Sequence, residues 1–226
     1  SNGTRITGRQ IYWEVFDWDV FQKTKDIQVD VLRIADLNIQ AHSADNTKPA
    51  PVKDFPVIRI ALLDIGHLQF SSSGTQQHSM FDAEKIVLGD VRTQQRFVTW
   101  HKAAGAFYNI SHHSRKMDLD IARVLLNSNS TTTITGADAT LHNDNGYTKI
   151  VAPEIKIATG IHSTDFSRLQ VQSLSTDEPQ ITIYSKGNAA EKSSSPKNSQ
   201  AAIGNLNIRN ARVHYTKING EDTTLL

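Results

Sequence analysis

The sequence has no cysteine, no excess charge of one sign and no long apolar run. The absence of cysteine excludes disulfide frameworks and thiolate metal sites from all 226 residues. With 24 basic and 23 acidic residues, the chain lacks the positive field that draws proteins to nucleic acid, and we expect no nucleic-acid partner. Because about eighteen consecutive apolar residues are needed to cross a bilayer, the sequence predicts no membrane-spanning helix.

Signatures of catalysis and cofactor binding are also missing. There is no phosphate-binding loop, no dinucleotide fingerprint and no nucleophile elbow. The adjacent histidines His112 and His113 would point to opposite faces of a strand, so they do not predict a shared metal. We therefore expect a protein that is not an enzyme, with no catalytic residue, no metal and no cofactor.

What the sequence does contain is a returning apolar spacing. In residues 60–70 apolar residues follow one another at steps of three, two, three and two, and residues 203–213 repeat these steps. Segments 34–41 and 134–141 begin with the same pattern. A step of two keeps side chains on one face of a strand, whereas a step of three requires a bulge or a bend. The pattern predicts bent strands.

Turn residues and a second matching strand extend this pattern into a repeat. Gly74, Gly146 and Gly220 follow three of the bent strands in Ser- or Asn-rich segments that favour tight turns. Residues 83–88 match residues 152–157 in apolar pattern, at an offset of about seventy residues. We predict one all-β region over residues 1–226, an elongated, curved, mostly antiparallel sheet built from imperfect repeats. A β-sandwich and a parallel β-helix are the alternatives.

The first part of the chain is the richest in aromatic residues. Between residues 11 and 21 the apolar positions fit the period of a strand and that of a helix, and the sequence does not decide between them. We interpret residues 1–30 as a cap on the repeats of residues 31–226, although a Trp-rich segment also suits a membrane interface or sugar stacking. Because the sequence stops soon after Gly220, where a strand is expected, we expect a fragment of a longer protein.

Two polar segments and one ambiguous segment complete the chain. Residues 41–56 carry three prolines and predict a loop, and residues 187–202 predict a solvated loop whose deletion is tolerated. Residues 117–124 fit a helix or a strand, and their match in spacing to residues 169–174 favours a strand.

Three segments together resemble a known family. Residues 63–70, 81–89 and 203–215 are similar to the repeats of AsmA-like proteins of Gram-negative envelopes, and the resemblance runs from Val31 onward. It implies a strongly curved sheet with an apolar inner groove and a role in lipid traffic between the inner and outer membranes. It also implies a location in the periplasm or cell envelope, with a membrane anchor outside this sequence, and no catalytic residues.

The resemblance assigns the repeated apolar residues to a lipid groove, and the expected ligand is a lipid or its acyl chain. From the spacing alone, the same side chains also fit a closed core packed against a second layer. An extracellular adhesin or glycan-binding β-domain is the alternative function. The predicted groove residues are Ile60, Leu63, Ile65, Leu68, Phe70, Ile86, Leu88, Ile155, Ile157, Leu206, Ile208 and Val213.

Overall fold

A computed structural model describes residues 3–43, 57–94, 97–127, 131–158, 170–186, 202–219 and 222–225. Fourteen strands in these residues form one sheet, and a single short helix lies beside it. The predicted all-β, mostly antiparallel fold is confirmed. The elements are β1 (Gly3–Phe16), α1 (Trp18–Thr24), β2 (Ile27–Ser43), β3 (Ile58–Gly74), β4 (Gln77–Gln94), β5 (Phe97–Thr99), β6 (Lys102–Ser114), β7 (Met117–Asn127), β8 (Thr131–Asn143), β9 (Gly146–Ala158), β10 (Gln170–Asp177), β11 (Gln180–Lys186), β12 (Ala202–Arg209), β13 (Arg212–Asn219) and β14 (Asp222–Leu225).

The strands follow one another across the sheet almost in chain order. The order runs β1, β2, β3, β4, β6, β7, β8 and β9, and β5 pairs only with the end of β4. Beyond β9, the strands β10 and β11 lie end to end, and both pair antiparallel with β9. The strands β12 and β13 pair parallel with β10 and β11 in the same way, and β14 pairs antiparallel with β13. Parallel pairing therefore occurs twice, in β2–β3 and in β10–β11 with β12–β13.

The predicted steps of three coincide with interruptions of the ladder. Between β3 and β4 the pairing is interrupted at Ala61 and at Gly66 while the register stays the same, and each of these residues follows an apolar residue of the repeated pattern. On the facing strand, Lys85 and Asp90 have φ angles of 53° and 53°. A left-handed residue at an interrupted ladder bends the strand and increases its local twist. A step of three in the apolar spacing therefore marks the position at which the strand bends.

The bends recur on other strands at matching positions. On β1, Gln10 and Val15 have φ angles of 51° and 49° and lie where the ladder with β2 is interrupted. Asn109 on β6 and Gly136 on β8 have φ angles of 51° and 63°. Because interruptions of neighbouring strands lie side by side, they bend the sheet along shared lines rather than at isolated points.

The two main copies of the repeated pattern occupy corresponding places. Residues 60–70 lie in β3, and residues 203–213 lie in β12 and β13, which are separated at Asn210 with φ 52°. Each copy is the second strand of a parallel pair and leads into an antiparallel partner. The segment 134–141 shares the bend but lies in β8, between two antiparallel neighbours.

Two of the three predicted turn glycines lie at strand ends next to turns. Gly74 ends β3 before the turn into β4, and Gly146 begins β9 directly after a turn. Gly220, most of the predicted loop 41–56 and all of residues 187–201 lie outside the described residues. Residues 117–124 lie in β7 and confirm the strand.

The aromatic segment combines both of its predicted periods, because β1 ends at Phe16 and α1 begins at Trp18. The side chain of Asp17 caps the helix by accepting a hydrogen bond of 3.0 Å from the backbone N–H of Val20. At the other end Lys25, with φ 62°, donates its backbone N–H to the carbonyl of Phe21. Among the described residues, no helix is long and apolar enough to cross a membrane.

Candidate functional site

One face of the sheet carries an apolar row that crosses ten strands. Residues that lie opposite each other in neighbouring strands are on the same face, so the pairing register defines such rows. From β1 to β12 the row reads Gly8, Leu37, Leu68, Ala83, Phe107, Val124, Ile134, Ile155, Thr176 and Ile208. It contains no ionisable side chain. We call this row and its neighbours on the same side the apolar face.

Further rows on the apolar face run beside it through the first four strands. None of these rows contains a lysine, arginine, aspartate or glutamate. In the order β1, β2, β3 and β4, the rows are Phe16, Val29, Ile60 and Val91; Trp13, Leu32, Leu63 and Leu88; Ile11, Ile34, Ile65 and Ile86; and Ile6, Ile39, Phe70 and Phe81.

The apolar face contains a small buried cluster with half-buried surroundings. Ile65, Ala83 and Ile86 are buried at its centre, at 6%, 0% and 4% exposure. The rings of Phe70 and Phe81 stack with centroids 4.9 Å apart, and the ring of Phe107 lies 5.7 Å from that of Phe81. No other described element covers these side chains, because α1 is the only described element outside the sheet. Among the residues that the structure describes, the apolar face is therefore one wall without a second layer.

The opposite face of the sheet is polar and carries ion pairs. Arg33 lies 3.5 Å from Glu14 and 3.9 Å from Asp64, which joins β1, β2 and β3. The Nζ atom of Lys149 lies 2.8 Å from Asp138, and this hydrogen bond raises the pKa of Lys149. One face thus carries polar and charged side chains and the other carries apolar side chains, as is typical of a sheet that has water on one side only.

A histidine and aspartate cluster lies near the hairpin ends of β6 to β9. His142 Nε2 lies 2.7 Å from one carboxylate oxygen of Asp118, and His113 Nδ1 lies 3.2 Å from the other. These hydrogen bonds, first that of His142, lower the pKa of Asp118. His112 instead contacts Ser79 at 2.7 Å, so the two adjacent histidines have separate partners. The described residues contain no group of three ligands suited to a metal ion.

The structure places all twelve predicted groove residues on the apolar face. Five of the seven on β3 and β4 form one cluster, while those of β9 and of β12–β13 lie progressively farther across the sheet; the five are Leu63, Ile65, Leu68, Ile86 and Leu88. Ile60, Ile65 and Ile86 are buried; Leu63, Leu68, Phe70, Leu88, Ile155 and Ile157 are half-buried; and Leu206, Ile208 and Val213 are exposed.

Sequence reasoning missed the middle of the apolar face. Phe107, Val124 and Ile134 connect the cluster of β3 and β4 to Ile155 on β9. A signal for Phe107 was present, because it is followed by Ile110 at a step of three with Asn109 at the bend. Its neighbours in the sequence are of mixed character, so this single step of three does not stand out there as a pattern.

An aromatic pocket lies at the β1 end of the apolar face. Trp13, Phe16 and Trp18 line it together with Val29 and Leu32, and its volume is about 360 Å³. Phe16 and Trp18 hold its shape through an edge-to-face contact with ring centroids 4.9 Å apart. Because Leu32 belongs to the row of Leu63, the pocket opens onto the apolar face.

Comparison of the chain with protein-family models, with curated proteins and with solved structures finds no match. The chemistry of the site therefore has to be inferred from its geometry. A wide, uncharged, apolar wall offers non-directional contact, and it suits flexible apolar ligands better than polar ones.

Proposed function

We propose that the apolar face binds the acyl chains of lipids and that the protein is a non-enzymatic lipid-binding or lipid-transport protein. The observation that carries the proposal is the row of uncharged side chains from Leu37 to Ile208, which no described element covers. A closed core would need a second layer over these side chains, and the described residues form a single sheet.

The energetics of such binding follow from apolar burial. Each methylene group moved from water onto an apolar surface contributes about 0.8 kcal/mol. Measured along the sheet, ten strands span about 43 Å, whereas the hydrocarbon core of a whole bilayer is about 30 Å thick. An acyl chain, which spans half of that core, fits along the row with space remaining. Because the contacts are non-directional, binding should show little preference among chains of similar length.

The resemblance to AsmA-like envelope proteins supports a setting for this activity. It implies a curved sheet with an apolar inner groove, and the bends and the uncharged face agree with that description. We extend the proposal accordingly to lipid transport between membranes in the periplasm or cell envelope of a Gram-negative bacterium.

Two neighbouring residues of β8 provide a matched test. Ile134 is half-buried on the apolar face, and Thr135 is exposed on the polar face beside Arg123 and Glu154. Ile134→Asp should strongly reduce uptake of a fluorescent fatty acid, because a carboxylate on the wall must be desolvated by a bound chain. Thr135→Asp introduces the same charge one residue away and should leave uptake unchanged. Circular dichroism would check folding, with Ile134→Ser as a milder second variant.

The outcomes separate the proposal from a closed core. The proposal is supported if the wild-type protein and Thr135→Asp take up the fatty acid and the Ile134 variants do not. Wild-type protein that takes up no fatty acid and yields no lipid on organic extraction and mass spectrometry would contradict it.

A second function is favoured by one observation. Trp13 and Trp18 are 60% and 63% exposed at the aromatic pocket, and exposed aromatic rings stack on sugars. A glycan-binding module would therefore use this end of the molecule. Loss of oligosaccharide binding in Trp18→Ala, with unchanged fatty-acid uptake, would identify that function.

A further inference from the structure

A polar patch lies on the apolar face beside the stacked rings of Phe70 and Phe81. Two residues farther along each strand, the next row of the same face contains Ser72 on β3, Ser79 on β4 and His112 on β6. We call these three residues the polar patch. In the order of the strands from β1 to β13, the row reads Thr4, Ala41, Ser72, Ser79, His112, Leu119, Ala139, Ile150, Ile181 and Val213.

The polar patch is more than the margin at which this face meets water. On β7, β8 and β9 the same row continues with the apolar residues Leu119, Ala139 and Ile150. The patch also lies in the interior of the sheet, because β3, β4 and β6 each have a strand on either side. Ser79 and His112 are half-buried, so a hydroxyl and an imidazole are held in apolar surroundings, where polar groups require hydrogen-bond partners.

The side chains of Ser79 and His112 form a hydrogen-bonded pair that retains a proton for a ligand. Ser79 Oγ and His112 Nδ1 lie 2.7 Å apart. If the hydroxyl donates to Nδ1, the neutral imidazole carries its proton on Nε2, and if Nδ1 donates to Oγ, the hydroxyl proton remains. In either tautomer one N–H or O–H can donate to a further acceptor, and an oxygen of a lipid head group can be that acceptor.

The charges around the polar patch favour a negatively charged head group. Arg115 and Lys116 are exposed in the turn that follows β6, and Arg115 is about 10 Å along the chain from the patch. The carboxylates Asp118 and Asp120 of the same hairpin belong to the polar face, where they lie 3.2 Å and 3.6 Å from ring nitrogens of His113. The row of the patch itself contains no carboxylate. An anion at the patch therefore meets positive rather than negative charge.

We propose that the polar patch binds the negatively charged head group, a carboxylate or a phosphate, of a lipid whose acyl chain lies on the apolar face. This inference rests on the proposed function and adds an orientation to it. The pair of Ser79 and His112 donates a hydrogen bond to a head-group oxygen, and the first methylene groups of the chain lie over the rings of Phe70 and Phe81. Because hydrogen bonds to charged groups are stronger than those between neutral groups, the patch makes the wall selective for anionic lipids.

The polar face provides a matched control pair. His42 Nδ1 and Ser73 Oγ also lie 2.7 Å apart, on β2 and β3. Ser73 follows Ser72 in the chain and therefore lies on the opposite face of the strand. The same two side-chain types at the same distance thus occur on both faces, and only the pair on the apolar face is placed to hold the head group of a bound lipid.

Three probes with the same alkyl chain separate the contribution of the head group from that of the chain: lauric acid, lauryl phosphate and methyl laurate. Their affinities are measured at neutral pH by displacement of the uncharged fluorescent probe N-phenylnaphthylamine. The wild-type protein should bind at least one of the two anions about tenfold more tightly than the ester. His112→Leu should remove this preference and leave the affinity for the ester unchanged, Ser79→Ala should reduce the preference, and His42→Leu should keep it.

The outcomes distinguish the head-group site from the acyl-chain wall. The anion whose affinity falls in His112→Leu identifies the head group as a carboxylate or a phosphate. Equal affinities of the wild-type protein for all three probes, or an unchanged preference for anions in His112→Leu, would overturn the head-group site and leave the acyl-chain proposal intact. Absence of binding of all three probes would contradict both. Circular dichroism checks folding, and Ser79→Ala decides the question if His112→Leu does not fold.

Discussion

The two parallel pairs of this sheet share their spacing and their bends but differ in burial. In β2–β3, strands lie on both sides of the pair, and Ile60 and Ile65 are buried. In β10–β11 with β12–β13, β9 lies on one side and β14 is the one described strand on the other, and Ile203 and Ile208 remain about half exposed. In a single-layer sheet burial therefore comes from neighbouring strands rather than from a second layer, so the same apolar pattern can form a core or an open surface.

Charge substitutions at corresponding positions should separate the two regions most strongly. Ile65→Asp places a carboxylate among Ala83 and Ile86 without a partner, and we expect it to lower the free energy of unfolding by at least about 3 kcal/mol or to prevent folding. Ile208→Asp, at an exposed edge, should lower it by less than about 1 kcal/mol. Urea unfolding followed by circular dichroism measures both. An equal loss of unfolding free energy in the two variants would show that Ile208 is buried in solution, and it would contradict the difference in burial between the two regions.

Two glycines at bends should show a smaller difference of the same kind. A Cβ on Gly66 would lie 2.8 Å from the carbonyl oxygen of Ala35, and one on Gly204 would lie 2.8 Å from that of Gln172. Gly66→Ala should cost about 1–3 kcal/mol, because β3 is held between two strands and cannot move away. Gly204→Ala should cost less, because the edge strand can shift outward.

Thermal unfolding of both glycine variants would measure these effects, with Gly3→Ala as the control, since nothing lies within 4 Å of a Cβ at Gly3. A larger loss in Gly204→Ala than in Gly66→Ala would contradict the account of a yielding edge.

The smallest effect concerns the polar face between the two regions. The pKa of Asp118 is lowered by its hydrogen bonds with His142 and His113. A carboxyl whose folded pKa is depressed stabilises the fold above its ordinary value of 3.8, and this contribution is lost as the pH falls through the lower folded value. Asp118→Asn should therefore make stability fall less steeply in acid. Urea unfolding on both sides of that pH would show it, and parallel curves for variant and wild type would contradict it.

Much of the fold could be predicted because bends have a sequence signature. The steps of three in residues 60–70 and 203–213 predict the bent strands, and the matching segments 83–88 and 152–157 begin with Ala83 and Ala152, which are both buried. The parallel pairing of β2 with β3 could not be predicted, because apolar alternation is the same for parallel and antiparallel neighbours. The helix α1 was ambiguous because seven residues are too few to define a helical period.

The candidate site could be predicted in its centre but not in its extent. Leu63, Ile65 and Leu68 lie on the apolar face as expected. The exposure of Leu206 and Val213 could not be predicted, because it depends on which strands lie beside them and not on their own spacing. For the same reason, the row through Phe107 became evident only from the register of β6 with β4 and β7.

Photocrosslinking tests the acyl-chain proposal most directly. A fatty acid that carries a diazirine near the end of its chain would be bound, irradiated and mapped by peptide mass spectrometry. The account predicts labels on residues of the apolar face such as Leu68, Phe107 and Ile134, and none on Gln69 or Thr135, which neighbour two of them on the polar face. Labels spread over both faces, or absent altogether, would contradict the claim that this face holds an acyl chain.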